Sequence, residues 1–195
     1  MLVGIILIIG LVFTFMSPFF LTVNNLINIG RQATVMVIYA IGLTFVMIGG
    51  MIDISIVSIA LMATMISGMM MNAGINVNLA IIAGFAFGII VGLVNGFLTT
   101  KFDLNPMVVT LGTSSLCSGG TLLISGGTSI YNLPKSFQWL GRGYIGIIPV
   151  QMIIMLLIFV LAHIGLTSTV FGRRIYAIGG NKQVAKLAGI KVKQY

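Results

Sequence analysis

Six apolar runs separated by short polar stretches dominate the chain. The pattern predicts membrane-spanning helices over about residues 1–17, 33–50, 54–71, 77–98, 107–125 and 150–170. Each run is close to the roughly twenty residues that a helix needs to cross the hydrocarbon core of a bilayer. We therefore predict that residues 1–171 form an all-α polytopic membrane domain with about six transmembrane helices.

The polar stretches between the runs predict short connections. Residues 22–32 are interpreted as a polar connection in which Asn24 or Asn25 caps a short interfacial helix. Residues 134–140 are predicted to form a short helix lying on the membrane. Between the second and third runs, the sequence Gly-Gly-Met-Ile-Asp at 49–53 is either a loop between two spans or a re-entrant bend.

Residues 172–195, here called the tail, differ from the rest of the chain. They contain no acidic residue and six of the ten basic ones, which are Arg173, Arg174, Lys182, Lys186, Lys191 and Lys193. In the tail, Gly179 and Gly180 are predicted to break the chain. Asn181 is predicted to cap a two-turn helix, and Gly189 to end it in a left-handed turn.

This predicted tail helix carries two different faces. Val184, Leu187 and Ala188 share an apolar stripe, whereas Lys182 and Lys186 lie one turn apart on another face. So short a helix is marginal alone in water, which favours a partner protein for it to lie on. The alternative is a basic tail that touches only anionic headgroups.

Composition narrows the class of protein. The chain is 58% hydrophobic and only 6% charged, whereas soluble domains carry about 25% charged residues. The net charge of +8 is interpreted as loop charge that orients the helices, not as a nucleic-acid surface. One cysteine and one histidine argue against a disulfide within the chain and against a metal site. The sequence also has no Walker-type motif and no catalytic constellation, so we expect no ATP hydrolysis and no cofactor.

The basic residues predict the orientation. With the tail in the cytoplasm, Lys101 and the six basic residues of the tail lie inside. Arg31, Lys135 and Arg142 then lie outside. This seven-to-three division satisfies the positive-inside rule, and the reverse orientation does not.

The fourth run carries glycines at strict four-residue spacing. They are Gly84, Gly88, Gly92 and Gly96. Such spacing leaves one helix face nearly bare and lets another helix approach closely, so the four glycines are predicted to form a packing face. Asn95, beside this face, is expected to form an interhelical hydrogen bond.

Four motifs, in order along nearly the whole chain, resemble one known family. They are Phe20-Leu21-Thr22-Val23-Asn24-Asn25; Gly50, Ile52, Asp53, Ser55 and Ser58; Asn95-Gly96 with Pro106 and the Val109–Thr113 run; and the segment 172–192. The chain resembles the permease subunit of bacterial ABC importers of the ribose/xylose/galactose type. It departs from the family pattern at Met51, Val57, Lys182, Gln183 and Val184. Family members are longer, so the chain is expected to continue beyond Tyr195.

The resemblance implies a transport subunit of the bacterial cytoplasmic (inner) membrane. Its implied partners are a cytoplasmic ABC ATPase, an extracytoplasmic sugar-binding protein, a second permease subunit in a homo- or heterodimer, and membrane lipid. The tail would then be the ATPase-docking segment, with contacts from Arg173, Arg174, Gly179, Gly180, Asn181, Val184, Leu187, Ala188 and Gly189.

The resemblance also implies a substrate path. Its candidate residues are Asp53, Ser55 and Asn95. An acid beside a membrane helix suggests function, and the alternative is that Asp53 lies at the headgroup level or caps the third helix. Three other functions remain open: a permease for branched-chain amino acids or nucleosides, an ion-coupled secondary transporter, and a purely structural membrane subunit. An ion-coupled transporter is expected to show several intramembrane charges.

Overall fold

The computed structural model describes residues 1–192, apart from the side chain of Leu2, and Lys193, counted above among the basic residues of the tail, lies outside this range. Within it the chain forms nine α-helices and one short antiparallel hairpin. The helices are α1 (Leu2–Met16), α2 (Val23–Ile48), α3 (Ile56–Asn72), α4 (Val77–Lys101), α5 (Pro106–Ser125), α6 (Lys135–Arg142), α7 (Val150–Ser168), α8 (Val170–Gly180) and α9 (Lys182–Leu187), and the strands are β1 (Tyr144–Ile145) and β2 (Ile148–Pro149).

Four of these helices are long and apolar enough to cross a membrane. They are α2, α4, α5 and α7, and α3 and most of α1 are shorter apolar helices. The prediction of an all-α polytopic membrane fold is therefore confirmed. The count of six spans stays a prediction, because α1 and α3 are shorter than a full crossing needs.

Helix α2 corrects the predicted polar connection at residues 22–32. The helix begins at Val23, and the Thr22 hydroxyl caps it by accepting from the Asn25 amide at 3.4 Å. The Asn25 side chain donates back to the Phe20 carbonyl at 2.8 Å. No proline interrupts the segment, so a continuous helix satisfies its backbone amides while the two asparagines stay at the helix end. At 26 residues, α2 is about 39 Å long.

The helices pack in two groups. Helix α3 lies against α4 and α5, and helix α2 lies against α7 and α8. In the second group the Met152 side chain covers Gly30, since a Cβ there would lie only 2.9 Å from the Met152 terminal methyl. The 49–53 break joins the two groups, because it connects the end of α2 to the start of α3.

The two ends of α2 mark opposite ends of the molecule. Near its start, Arg31 donates to the Tyr144 hydroxyl at 3.2 Å and to the Gly141 carbonyl at 3.3 Å. Beyond its other end, Gly49 lies against Ile175 of α8. Eighteen helical residues separate Arg31 from Gly49, a rise of about 27 Å, which is close to the thickness of the hydrocarbon core. The α6–hairpin cap and the α8–α9 tail are therefore one membrane thickness apart.

The boundary between membrane domain and tail also needs correction. Helix α8 begins at Val170, before the predicted boundary at 171/172, and Thr169 separates it from α7. Gly179 and Gly180 do not break the chain, because they are the last two residues of α8. The break falls at Asn181, whose backbone is extended (φ −160°, ψ 110°).

Candidate functional site

A chain of hydrogen bonds brings together the three residues that the sequence singled out for the substrate path. The Asp53 carboxylate accepts at Oδ1 from the Ser55 amide at 2.7 Å and from the Ser55 hydroxyl at 2.6 Å. The Asn95 side-chain amide donates to the Ser55 hydroxyl at 3.1 Å. The side-chain oxygen of Asn95 accepts from the Thr113 hydroxyl at 2.6 Å. We call these four side chains the polar network.

The polar network ties three helices together where α3 begins. Ser55 is fully buried and Asn95 is 5% exposed, so the middle of the network is shielded from solvent. Two further bonds extend the contact between the start of α3 and α5. The Ile54 amide donates to the Thr110 hydroxyl at 3.3 Å, and the Ser58 hydroxyl donates to that of Ser114 at 2.9 Å.

The Asp53 carboxylate can accept a further hydrogen bond. Both of its bonds use Oδ1, and the residue is only partly buried. Among the described residues, every buried side-chain oxygen and nitrogen has a hydrogen-bond partner, so Oδ2 faces accessible space. A carboxylate can accept at both oxygens. The arrangement thus pairs a shielded hydroxyl–amide chain with one accessible carboxylate oxygen at its edge.

The backbone before Asp53 forms a specific helix ending. The Gly50 amide donates to the Met47 carbonyl and the Met51 amide to the Val46 carbonyl, at 3.0 and 3.1 Å. This is a Schellman motif, and Gly50 supplies the left-handed residue that it requires (φ +79°). Met51, which departs from the family pattern, takes the position after that glycine, where an apolar residue commonly packs back on the helix.

Val57, the other departure from the family pattern in this region, takes no part in the polar network. Val57 is 54% exposed, whereas Ser55 and Ser58, on either side of it in the sequence, are buried. Its side chain therefore points away from the hydrogen bonds that join α3 to α4 and α5. The added bulk at Met51 and Val57 leaves the polar network intact.

Helix α9 has the capped ends that the sequence predicts. The Asn181 side chain accepts from the Gln183 and Val184 amides at 2.9 and 3.1 Å. At the other end, the Gly189 amide donates to Lys186 and the Ile190 amide to Ala185, in a second Schellman motif. Gly189 has a φ of +80°, the left-handed conformation that glycine adopts without strain.

The two faces of α9 differ in burial. Ala185 is 3% exposed and faces the rest of the chain, whereas Val184 is 59% and Leu187 88% exposed. Ala188 is also exposed, so the whole predicted apolar stripe lies on the outer surface of the tail. Arg173 and Arg174, in α8, are exposed as well.

Helix α8 approaches the 49–53 break through bare backbone. A Cβ on Gly179 would overlap the Ile48 carbonyl group, and a Cβ on Gly50 would lie 3.7 Å from the Gly179 Cα. Ile175 and Ile178 of α8 are both 5% exposed. The tail is therefore packed on the segment that leads directly to Asp53.

The predicted packing face of α4 lies in close contact with a described neighbour over only part of its length. A Cβ on Gly84 would overlap the Ser67 hydroxyl and lie 3.0 Å from the Ala63 carbonyl oxygen, so α3 and α4 are in close contact there. Gly88 meets only the Ile59 side chain, at 3.9 Å, and Gly92 and Gly96 have nothing within 4 Å among the described residues. In this half of α4, the Asn95 side chain bonds to Ser55 and to Thr113 of α5.

Sequence reasoning missed the α5 side of the network. The hydroxyl residues of α5 that contact α3 and α4 are Thr110, Thr113 and Ser114. The spacing i, i+3, i+4 places them on one helix face, and buried Cys117 and Thr121 continue the same face at i+7 and i+11. This polar stripe in an otherwise apolar helix is the sequence signal from which the α5 hydroxyl residues could have been predicted.

Comparison with known proteins identifies the family. The family described as "Branched-chain amino acid transport system / permease component" matches residues 25–195. The ribose import permease protein RbsC of Bacillus subtilis is 40% identical over 188 residues, covering 95% of this chain and 58% of that permease. The D-allose transport system permease protein AlsC of Escherichia coli is 36% identical over 192 residues, covering 97% and 59%.

A third relative extends the range of named cargoes. The autoinducer 2 import system permease protein LsrC of Photorhabdus luminescens is 34% identical over 191 residues, covering 97% of this chain and 57% of that protein. The chain thus spans somewhat less than three-fifths of the length of these three relatives. No solved structure matches it significantly.

The chain belongs to this family of permease components. The resemblance inferred from its four motifs is therefore confirmed. It is a multi-pass protein of the bacterial cytoplasmic membrane, in agreement with its permease relatives and its four long apolar helices. Its family membership identifies it as a transport component, because the relatives are the permease parts of import systems.

Proposed function

We propose that this chain belongs to one of the two permease subunits that form the membrane channel of an ABC importer for a monosaccharide of the ribose type. The observation that carries the proposal is the packing of α8, the first helix of the tail, on the 49–53 break. This break leads directly to the polar network. A cytoplasmic ATPase that moves the tail would thereby shift the Asp53 segment. This is the mechanical link that an ATP-driven importer needs.

The polar network suits a polyhydroxylated substrate. Sugar hydroxyls both donate and accept, and the accessible Asp53 oxygen offers them a strong acceptor. The Ser55–Asn95–Thr113 bonds hold that carboxylate segment against α4 and α5. We assign Asp53 to contact with the passing substrate, and Ser55 and Asn95 to positioning it.

The tail helix is the proposed ATPase-docking element. Val184 and Leu187 face outward, and no described residue covers them. Two capped ends hold the six-residue helix in shape, so a partner does not have to order it. The other proposed partners are an extracytoplasmic sugar-binding protein at the α6–hairpin end and a second permease subunit against the exposed helix faces.

A permease for branched-chain amino acids is the second candidate. The description of the family favours it, since that description names branched-chain amino acid transport. The named cargoes of the three relatives, ribose, D-allose and autoinducer 2, favour the first candidate. The accessible Asp53 oxygen agrees with the sugar, because an aliphatic side chain has no donor to offer it.

A chimaera tests the proposal. Residues 1–192 of this chain replace the matching segment of the Bacillus subtilis ribose import permease, in a strain that lacks its own copy. We expect ATP-dependent ribose uptake, and we expect Asp53→Asn to reduce it while the protein still accumulates in the membrane. Uptake of leucine without ribose would favour the second candidate. A chimaera that accumulates but carries neither would contradict both.

Binding of the ATPase to this chimaera tests the docking face. Leu187→Ala removes a large apolar side chain, whose burial is worth about 1.5–3 kcal/mol. We therefore expect ATPase affinity to fall roughly ten- to hundredfold, at about 1.4 kcal/mol for each factor of ten. Leu140→Ala, at the α6 end, is the matched control and should leave binding unchanged.

Charge reversal of two α9 lysines tests whether docking is apolar or electrostatic. Lys182→Glu with Lys186→Glu should change ATPase affinity only slightly, because these lysines lie on a different face from Leu187. If this pair abolishes binding while Leu187→Ala does not, apolar docking is wrong.

A phosphatase reporter that is active outside the cytoplasm should work after Gly141 and fail after Lys193. Activity after Lys193 would reverse the proposed orientation.

A further inference from the structure

A large cavity lies between the tail and the ends of α2 and α4. Its volume is about 1200 Å³, and it is lined on one side by α9 and the residues that follow it. The opposite side is formed by the last turns of α2, by α8 and by the loop between α4 and α5. Neither the polar network nor the outward stripe of α9 lines it, so the cavity is separate from the proposed substrate path and from the proposed docking stripe.

The two sides of the cavity differ in chemistry. Lys182, Lys186 and Lys191 line it from the tail. The other side presents apolar surface from all three elements that form it, namely Phe45, Val46, Leu104, Phe171, Ile175 and Ile178. Asp103 also lines the cavity, so three lysines stand against one carboxylate, and the charge balance of the lining is positive.

The fold of the tail brings the three lysines together. Lys182 and Lys186 lie one turn apart on α9. The Schellman motif at Gly189 then reverses the chain, and Lys191 returns toward the same cavity. Because Val184 and Leu187 occupy the outer face, α9 separates an apolar surface directed away from the protein from a basic surface directed into the cavity.

The cavity also lies at the level of a lipid headgroup. It surrounds the end of α2 at Gly49, about 27 Å of helix rise from Arg31, one hydrocarbon thickness away. Thr99, Thr100 and Asn105 line the same region and mark the point where α4 leaves the apolar run. A ligand there contacts polar groups on one side and apolar side chains on the other.

We propose that this cavity binds an anionic phospholipid of the tail-side leaflet. Its phosphate would lie among the three lysines and its acyl chains along the apolar side. Basic pockets between helices at a membrane surface are suited to anionic headgroups. A soluble anion would leave the apolar side unfilled, and the observed volume exceeds what such an anion needs. The bound lipid would support α9 from beneath, on the face opposite to its docking stripe.

Lipid binding to the whole chain in neutral detergent tests the proposal. Native mass spectrometry measures the binding of phosphatidylglycerol and of phosphatidylcholine to the parent and three variants. The first variant changes Lys182, Lys186 and Lys191 to alanine, and the second changes all three to arginine. The third is the matched control, with Lys135→Ala and Arg142→Ala at the α6 end.

We expect the parent to bind phosphatidylglycerol selectively. The alanine variant should lose roughly a hundredfold in affinity for it, because each lysine near an anionic surface contributes about fivefold. The arginine variant keeps the charge and should retain selectivity, which separates loss of charge from loss of fold. The control variant should bind like the parent.

Three outcomes would overturn the proposal. Equal binding of the two lipids by the parent excludes an anionic site. An equal loss in the control variant means that selectivity follows net charge rather than this cavity. If glycerol 3-phosphate displaces phosphatidylglycerol as effectively as the free lipid does, the cavity takes a soluble anion and not a lipid. These readouts involve no ATPase or sugar, so they are independent of the transport experiments.

Discussion

Two glycine-containing regions show different ways of bringing helices together. In α4 the four glycines are evenly spaced, yet only Gly84 is in close contact with another helix. At the junction of α2 and α8 the glycines follow no spacing, yet Gly179 lies directly against the Ile48 carbonyl. Regular spacing determines which residues share a helix face. Close packing requires in addition that a partner backbone approaches that face.

The second half of α4 replaces glycine packing with hydrogen bonds. Around Gly92 and Gly96 no described atom lies within 4 Å of where a Cβ would stand. Asn95, between them, is 5% exposed and bonds to both Ser55 and Thr113. Helix α4 therefore combines close backbone packing at Gly84 with interhelical hydrogen bonds at Asn95.

The largest effect is expected at Gly179. An alanine Cβ there would overlap the backbone of Ile48, which cannot rotate away, so α8 must shift off the end of α2. Overpacking typically costs about 1–3 kcal/mol, and contact with backbone places this site at the upper end. We expect a clear fall in the detergent unfolding midpoint for Gly179→Ala. Gly180→Ala, whose Cβ would meet no described atom within 4 Å, is the control and should unfold like the parent.

Substitution of the α4 glycines tests whether spacing or contact determines packing. Gly84→Leu should destabilise the chain by at least about 1–3 kcal/mol, because Ser67 and the Ala63 carbonyl fill the space. Gly92→Leu places the same side chain on the same face with no described neighbour, and should be tolerated by the isolated chain. Resistance to denaturation in detergent measures both. Equal loss in the two variants would show that the whole face is packed.

If Gly92→Leu instead disrupts only the assembled transporter, the second half of α4 contacts a partner subunit. Cross-linking of the chimaera to itself and to the ATPase distinguishes this case from misfolding. Gly88→Leu should lie between the other two variants, since among the described residues its Cβ would meet just the Ile59 side chain, at 3.9 Å.

Asn95 provides the next test. Replacing it with leucine removes two interhelical hydrogen bonds, each worth roughly 0.6–1.7 kcal/mol within a membrane. We expect a loss of stability in the same range as that of Gly84→Leu. Thr99→Val is the matched control, because the Thr99 hydroxyl bonds only to carbonyls of its own helix. If the two variants unfold alike, the network does not hold α4 in place.

Local signals in the sequence predicted the local structure well. The Asn181 cap and the Gly189 turn could be recognised because each depends on one residue and its near neighbours. Six apolar runs were sufficient for the fold class. The start of α2 at Val23 was missed, because polar side chains near a helix end resemble a loop in composition.

Contacts between distant segments were less predictable. Ser55 meets Asn95 only because α3 packs on α4, and forty residues separate them. The Asp53, Ser55 and Asn95 side chains were chosen one by one, whereas their connection through Thr113 depends on the arrangement of three helices. The even spacing of the α4 glycines likewise gave no information on which of them would lie in close contact with α3.

The smallest effect is expected at Gly189, where contact is absent and only conformation matters. Its φ of +80° costs an alanine roughly 1–2 kcal/mol, although no described atom lies within 4 Å of its Cβ position. Because α9 has only six residues, that cost should open the helix locally while the membrane helices stay folded. Amide hydrogen exchange over residues 182–190 should therefore accelerate about five- to thirtyfold in Gly189→Ala. Gly189→Asn should exchange nearly like the parent, since asparagine tolerates the left-handed conformation. If both variants exchange alike, the Schellman motif does not hold α9 in shape, and its stability would have to come from Ala185 packing on the rest of the chain.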